Sequence, residues 1–392
     1  MKILLFSSLF PHPAQPHHGI FVETRLRHTL RHGGIEARVV APVPWFPFTS
    51  KRFGTYAAYA KAPRHEVREG LVIEHPRYPV IPKFGMTLAP TLMYRAVRAT
   101  VQRLREAEDF DLIDAHYFYP DGVAAAWLAR DLGKPLVITG RGTDLNFIPQ
   151  FTLPRRMIVA AAERATHMVT VCQSLKDDLV ALGTPAEKVS VLRNGVDLER
   201  FSPLDKVETR RALGLRGPLL LSVGHLIERK GHHLIVQSLT DLPDVHLAIV
   251  GEGPMRRDLE RMIADNGLEE RVHLIGAVPQ TELSSYYSAA DALVLASSRE
   301  GWANVLLESM ACGTPVAATA VSGTPELVTD PAAGRIIERR SVEAIVETLK
   351  DLLSNPPARA ETRSFAERFG WDEIAAGQLS VFRQAAQHRL ER

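Results

Sequence analysis

The chain has 392 residues, 45% hydrophobic and 23% charged, with a formal net charge of +2. That is enough length for two domains and an ordinary composition for a soluble globular protein. The absence of internal repeats and low-complexity tracts excludes solenoids, and no apolar run approaches the ~18 residues that a membrane-spanning helix needs. The opening run Met1-Lys2-Ile3-Leu4-Leu5-Phe6 is too short for a signal peptide and reads as a first strand. Two cysteines, Cys172 and Cys312, each fall inside an expected regular element, so reduced, buried thiols and a cytoplasmic compartment are expected.

Apolar runs rich in β-formers alternate with longer amphipathic stretches. In the first half the strand candidates are Lys2–Phe6, Ala37–Ala41, Leu71–Glu74, Leu112–His116, Leu136–Thr139, Met168–Val171 and Val189–Leu192. The second half gives Leu219–Val223, His246–Val250, Val272–Ile275, Ala292–Ala296, Val316–Thr319 and Arg335–Ile337. Such alternation predicts an α/β fold of parallel sheets covered by helices, and there are too many strands for one sheet of usual size. The turn-rich segment Asn194-Gly195 to Ser202-Pro203 marks the boundary. The expected domains are therefore 1–195 and 196–373. Two amphipathic helices, Val342–Leu353 and Ile374–Arg389, end the chain.

Charge is unevenly spread. Residues 1–195 hold 25 Lys+Arg against 17 Asp+Glu, the remainder holds 22 against 28, and residues 1–105 alone hold 16 against 5. A basic first half and an acidic second half suggest different partners.

In open parallel sheets ligands bind beyond the carboxyl ends of the strands, so the loops there carry the candidates. After the first strand, Pro11-His12-Pro13-Ala14-Gln15-Pro16-His17-His18-Gly19 lacks the G-x-G-x-x-G of dinucleotide-binding oxidoreductases, but Gly19 permits close approach of backbone to a ligand. Trp45 to Phe53 is aromatic and basic. Thr91 to Arg105 reads as a helix with Arg95, Arg98, Arg103 and Arg105 beside Leu92, Met93, Val97, Val101 and Leu104. Together they suggest contact with an anionic membrane surface. His116 ends a strand, where it can reach a sugar hydroxyl. Thr139-Gly140-Arg141-Gly142-Thr143-Asp144 ends the next, with Asp144 a candidate to position an acceptor or the loop itself.

In the second half, Ser222-Val223-Gly224-His225 leads to Glu228-Arg229-Lys230-Gly231. Here Gly224 allows close backbone approach and Lys230, with Arg229 or His225, offers positive charge to a diphosphate. The loop around Val278 follows another strand. Arg299-Glu300-Gly301-Trp302-Ala303-Asn304-Val305-Leu306-Leu307-Glu308 then runs from a buried strand into a helix, with Asn304 its expected N-cap. Unpaired amides opening that helix make an anion site, and Glu300 and Glu308 flank it with acceptors for sugar hydroxyls. The combination suits a sugar attached to a nucleotide. No D-x-D motif sits at a strand end in this half, so no metal or other cofactor is expected.

The spelling from Glu300 to Glu308, followed by Ser-Met-Ala-Cys-Gly-Thr-Pro-Val, resembles the E-x7-E signature of family 4 glycosyltransferases. Gly224 to Gly231 resembles their G-R-x-x-x-x-K-G, with His225 in place of the Arg. Asn194-Gly195-Val196-Asp197 to Phe201 resembles the segment joining their domains. Phe10-Pro11 to Gly19-Ile20-Phe21-Val22 resembles the subgroup that builds bacterial surface polysaccharides, such as teichuronic acid and exopolysaccharide. Where relatives carry His-Gly-x-Asp, this chain has Arg141, so no base is carried onto it.

The resemblance implies a GT-B fold: two Rossmann-like domains facing across a cleft, the first binding acceptor and the second the nucleotide-sugar, with the last helix, about 374–392, returning to the first. It implies a retaining, metal-independent hexosyltransferase that uses a UDP-sugar and a lipid-linked or saccharide acceptor. No nucleic-acid partner is implied. A sugar-nucleotide epimerase, a glucan synthase and a non-catalytic nucleotide-sugar-binding protein are the alternatives. The resemblance further implies that His116 lies near the reaction centre, that Glu300 meets the donor sugar, and that Glu308 meets the ribose. Main chain near Val278 would hold the base. Lys230 and the amides from Gly301 through Asn304 and Val305 to Leu306 would stabilise the leaving diphosphate.

Overall fold

The computed structural model describes residues 1–80 and 85–387, and the expected end of the last helix at Arg389 lies outside them. The chain divides into two compact units, Met1–Asn194 together with the last helix from Asp372 onward, and Gly195–Trp371.

The first unit holds β1 (Lys2–Phe6), β2 (Glu36–Val40), β3 (Val43–Trp45), β4 (His65–Arg68), β5 (Leu71–Glu74), β6 (Arg77–Pro79), β7 (Leu112–His116), β8 (Leu136–Gly140), β9 (His167–Thr170) and β10 (Val189–Val191). Its main sheet runs β10-β9-β8-β7-β1-β2-β5-β4, and β3 pairs with β6 in a separate ribbon. Pairing is parallel except between β4 and β5. The central strands β1, β7 and β8 are covered on both faces, which is why they read as mostly apolar runs, with Asp114 and His116 of β7 as buried polar exceptions. Leu379, Val381, Phe382 and Ala385 of the last helix, Trp371–Gln387, pack into the same core as Ile3, Leu5, Val39 and Ile73.

The second unit holds β11 (Leu219–Val223), β12 (His246–Val250), β13 (Val272–Gly276), β14 (Ala292–Leu295), β15 (Val316–Thr319) and β16 (Gly334–Ile337). They form one parallel sheet in the order β13-β12-β11-β14-β15-β16, the doubly wound arrangement with its reversal between the first and fourth strands of the unit. Leu220, Leu247, Ile249 and Val294 meet Ile235, Leu259, Ile345 and Leu349 of the covering helices in its core.

Two expectations need correcting. Three strands had no clear sequence signal, β3, β4 and β6, and the sheets hold more strands than the alternation suggested. The basic helix is longer than expected, Ala89–Ala107, and its apolar side is spent: Met93, Val97, Val101 and Leu104 are buried in the unit while Arg95, Arg98 and Arg103 point outward. Its apolar face is therefore not available to a membrane. Cys172 and Cys312 are buried thiols.

Candidate functional site

In the second unit the strand order reverses between β11 and β14, so the loops that follow these strands, 224–231 and 296–303, lie side by side. They are tied together by main chain: the Ser298 amide donates to the Arg229 carbonyl over 2.8 Å. Gly231 sits at φ +73°, and a Cβ there would lie 2.0 Å from the Ala296 carbonyl oxygen, so this close approach needs glycine. Gly224 faces the Lys230 stem, which a Cβ would meet at 3.4 Å.

This juxtaposition brings Lys230 to Glu300. The ammonium donates to Glu300 Oε1 over 2.6 Å, and the Ser297 hydroxyl donates to the same oxygen over 2.6 Å. Arg229 donates to the Arg299 carbonyl over 2.6 Å and reaches Glu300 Oε2 at 3.4 Å. Glu300 is only 8% exposed. Burial alone would raise its pKa, but Lys230, Ser297 and Arg229 outweigh it and hold the carboxyl below its usual range. Glu300 is thus a buried carboxylate kept ionised by its neighbours. Arg229 acts as a clamp on the Glu300 loop, while His225 is exposed at the rim. Behind them, burial and then Lys230 push His232 down to about 4, and its Nδ1 shares a 3.0 Å hydrogen bond with the Ser222 hydroxyl.

The helix after Glu300 spans Asn304–Ala311. Asn304 is its first residue, not its cap; Ala303 holds the cap position without a side-chain bond, because the chain turns helical one residue earlier than expected. The Leu306 amide donates to the Ala303 carbonyl over 3.0 Å, which removes it from the expected anion contacts. Val305 stands in the first turn of the helix, where amides lack intrahelical partners, while Gly301 lies two residues before the cap at Ala303. One helical turn on, Glu308 is half-buried and accepts from the Tyr287 hydroxyl at 2.7 Å. Burial raises its pKa, with Tyr287, Arg200 and Gln280 acting the other way. Arg200 in turn donates to Gln280 over 2.9 Å. Val278 follows β13, half-buried at its carboxyl end.

In the first unit the order reverses between β1 and β7, and the loop after β1 meets the end of β7. The Ser7 hydroxyl donates to the His116 carbonyl over 3.2 Å, and the Ser8 hydroxyl donates to Asp121 over 3.0 Å. Gly19 is needed for packing: at φ +67° its Cβ would fall 2.3 Å from the Leu9 carbonyl.

His116 is 1% exposed and both ring nitrogens are engaged. Arg141 Nη2 lies 2.5 Å from Nδ1, and Asp114 Oδ2 lies 3.0 Å from Nε2. A guanidinium can only donate, so Nδ1 accepts and Nε2–H donates to Asp114. Burial holds the ring below its usual pKa. The expected ring contact from His116 to a sugar hydroxyl is therefore not available in this arrangement. Arg141, set aside in the sequence, turns out to be the partner that fixes it. Arg141 also donates to Asn194 over 3.0 Å, and Arg25 donates to Gln378, to the Leu192 and Arg193 carbonyls and to Asn194. Asp144 is fully buried and takes the amides of Phe118, Arg141 and Gly142 at 2.7, 3.0 and 2.7 Å. Both its oxygens are used, so it organises the loop and has no capacity left for an acceptor.

Sequence reasoning missed Ser297, Tyr287, Gln280, Arg200 and Arg25. Only Ser297 carried a usable signal, standing three residues before Glu300 in the same loop. Among the described residues no group of three His, Cys, Asp or Glu side chains is disposed to hold a metal ion.

Residues 24–200 match the family described as Glycosyltransferase Family 4, and residues 205–369 match Glycosyl transferases group 1. The chain is 29% identical over 363 residues to the teichuronic acid biosynthesis glycosyltransferase TuaC of Bacillus subtilis, covering 89% of this chain and 88% of that one. It is 32% identical over 308 residues to the D-inositol 3-phosphate glycosyltransferase of Frankia alni, covering 70% and 74%. Among solved structures, Anabaena Alr3699/HepE in complex with UDP aligns with a TM-score of 0.75 at 21% identity, over 97% of this chain and 99% of that one.

Proposed function

The chain belongs to glycosyltransferase family 4 and has the GT-B fold, and on that premise we propose that it transfers a hexose from a UDP-sugar to a saccharide or lipid-linked acceptor of a bacterial surface polysaccharide, with retention of configuration and without a metal ion. The observation that carries this reading is the Lys230–Glu300 pair, held at the strand-order reversal beside the opening of the helix Asn304–Ala311. A lysine ammonium has three donors, and one is spent on Glu300. The other two are available for the phosphates of a bound donor. Charge grows on the leaving diphosphate as its bond to the sugar breaks, so a fixed cation there lowers the barrier. The Val305 amide in the first turn of that helix, with the helix dipole, adds partial positive charge on the same side. Glu300, buried and kept ionised by Lys230, Ser297 and Arg229, accepts from hydroxyls of the transferred sugar. The leaving phosphate takes the acceptor proton, so no side-chain base or nucleophile is assigned.

The kinship with TuaC supports a surface-polysaccharide acceptor, and the fold shared with a protein solved with UDP is consistent with a uridine donor. Peripheral contact with an anionic membrane is part of the same reading. Trp45, Phe48 and Tyr56 are 55%, 54% and 40% exposed, and the Arg52 guanidinium lies 4.7 Å from the Phe53 ring centre. Aromatic rings beside cations suit the headgroup region. No helix of the described residues is long and apolar enough to cross a membrane.

Glu308 gives the test. If it holds the ribose, Glu308→Ala weakens UDP and UDP-sugar alike, by roughly tenfold, the scale of a hydrogen bond to a charged group. Titration calorimetry with UDP reads this directly, and unchanged affinity would remove the ribose role.

A further inference from the structure

Two donors from separate elements of the second unit converge on Glu308. The Tyr287 hydroxyl, from the helix Leu283–Ala289, donates to Oε2 over 2.7 Å, and Tyr287 is fully buried. The Gln280 side chain, from the loop after β13, donates to the same carboxylate. The orientation of that amide is fixed. Arg200 Nη1 lies 2.9 Å from Gln280 Oε1, and a guanidinium can only donate, so the amide oxygen faces Arg200 and the NH2 group faces Glu308. Arg200 is held in turn by Asp197, which accepts its backbone amide at 3.0 Å and pairs with its side chain at 3.8 Å.

One dipeptide supports both donors. Next to Arg200, the Phe201 ring is buried and meets the Tyr287 ring edge-on, with centres 5.9 Å apart. The Thr314 hydroxyl donates to the Tyr287 carbonyl over 2.7 Å, so packing and backbone both hold Tyr287 in place. A carboxylate has about four acceptor sites, and Tyr287 and Gln280 take two. The remaining two suit the hydroxyls on the adjacent 2′ and 3′ carbons of a ribose. Charge works in the same direction. Burial raises the Glu308 pKa, while Tyr287, Arg200 and Gln280 act to keep the carboxylate ionised and able to accept. Cys312, at the end of the same helix, also lies near; burial pushes its thiol up to about 12, so it adds no charge at neutral pH.

We infer that Gln280 is a positioning residue of the donor site: locked by Arg200, it works with Tyr287 to aim Glu308 at the ribose hydroxyls, and so sets the selectivity for ribonucleotides over deoxyribonucleotides. That the ligand is a ribose rests on the reading of Glu308 proposed above; the fixed set of donors around the carboxylate does not.

The test is calorimetry on the full chain with UDP, ADP and GDP, each beside its 2′-deoxy and 3′-deoxy counterparts. The native protein binds at least one ribonucleotide ~tenfold or more tightly than a deoxy counterpart, the scale of a hydrogen bond to a charged group. Gln280→Met keeps the length of the side chain and removes the amide. It cuts that ratio to ~threefold or less, by weakening the ribonucleotide and leaving the deoxynucleotide nearly unchanged. The deoxynucleotide thus reports that the rest of the site is intact. As pH falls, Gln280→Met also loses its ribonucleotide affinity at a higher pH than the native protein, because Glu308 has one donor fewer to keep it ionised. A ratio that stays at its native value in Gln280→Met, whether or not both nucleotides weaken together, would overturn the inference and leave the ribose role of Glu308 standing. Equal binding of ribo- and deoxynucleotides by the native protein, or binding of none of them, would remove the ribose role itself and the inference with it.

Discussion

Replacing Lys230 by alanine is expected to lower kcat by about two orders of magnitude or more, the scale of losing one preorganised stabiliser of a developing anion. Two effects add. The fixed charge facing the leaving diphosphate is gone, and Glu300 loses the partner that donates to it over 2.6 Å. Burial of Glu300, opposed in the native protein first by Lys230, then acts with less resistance, and its pKa rises. The sign follows: a carboxylate needed in its ionised form protonates at higher pH in the variant, so the acid limb of the pH–rate profile moves upward. KM for donor rises less than kcat falls, because the charge matters most as the bond breaks. Arg229→Ala separates the neighbours. Arg229 holds the Arg299 carbonyl at 2.6 Å and touches Glu300 only at 3.4 Å, so its loss loosens the loop with a smaller effect on kcat. Near-normal turnover in Lys230→Ala with collapse in Arg229→Ala would reverse the assignment.

Arg25→Met is expected to have the largest effect on stability, about 3 kcal/mol or more. Arg25 is among the largest fully buried side chains. It joins the helix Ile20–His32 to the carbonyls of Leu192 and Arg193 at 2.6 and 2.7 Å, to Asn194 at 3.3 Å and to Gln378 at 2.9 Å. Burial pushes its pKa down to about 10, with Asp114 acting the other way, so it remains charged at neutral pH. Methionine fills similar volume but strands those acceptors without donors, and each unmet buried group carries its own penalty. Thermal and urea midpoints, with Arg103→Met as control, read the difference. Arg103 is 60% exposed and pairs with Glu74 at the surface, so its loss costs at most about 1 kcal/mol. Equal losses in both variants would show that the buried network adds little.

Much of this architecture is legible in the sequence, for a physical reason. Central parallel strands are buried on both faces, so β1, β7, β11, β12 and β15 appear as short, mostly apolar runs with bounds that match the structure. The strands that escaped are peripheral or short. His65-Glu-Val-Arg68 lies at a sheet edge and is mostly polar, and Val43-Pro-Trp45 carries a proline inside a strand. In the site, Lys230 and Glu300 are legible because their motifs are local and the sheet topology makes their loops neighbours. What could not be read is how distant residues consume a side chain. His116 looked available at a strand end until Arg141, on the next strand's loop, occupied its ring. Asn304 looked like a cap because the start of its helix depends on the turn at Ala303, one residue away. Tyr287 reaches Glu308 across a helix–helix contact that no local pattern announces.

The central claim is that the Lys230–Glu300 site cleaves a nucleotide-sugar and transfers the sugar with its configuration retained. Proton NMR followed in real time tests it most directly, with UDP-glucose, UDP-galactose and UDP-N-acetylglucosamine each incubated with the protein, and water serving as acceptor where no saccharide is taken. All three donors are α-linked, so the account predicts that UDP appears together with an α-anomeric product before any β-anomer, and that Lys230→Ala slows the appearance of both by about a hundredfold or more. A β-anomer released first, or no UDP released from any of the three donors, would contradict it.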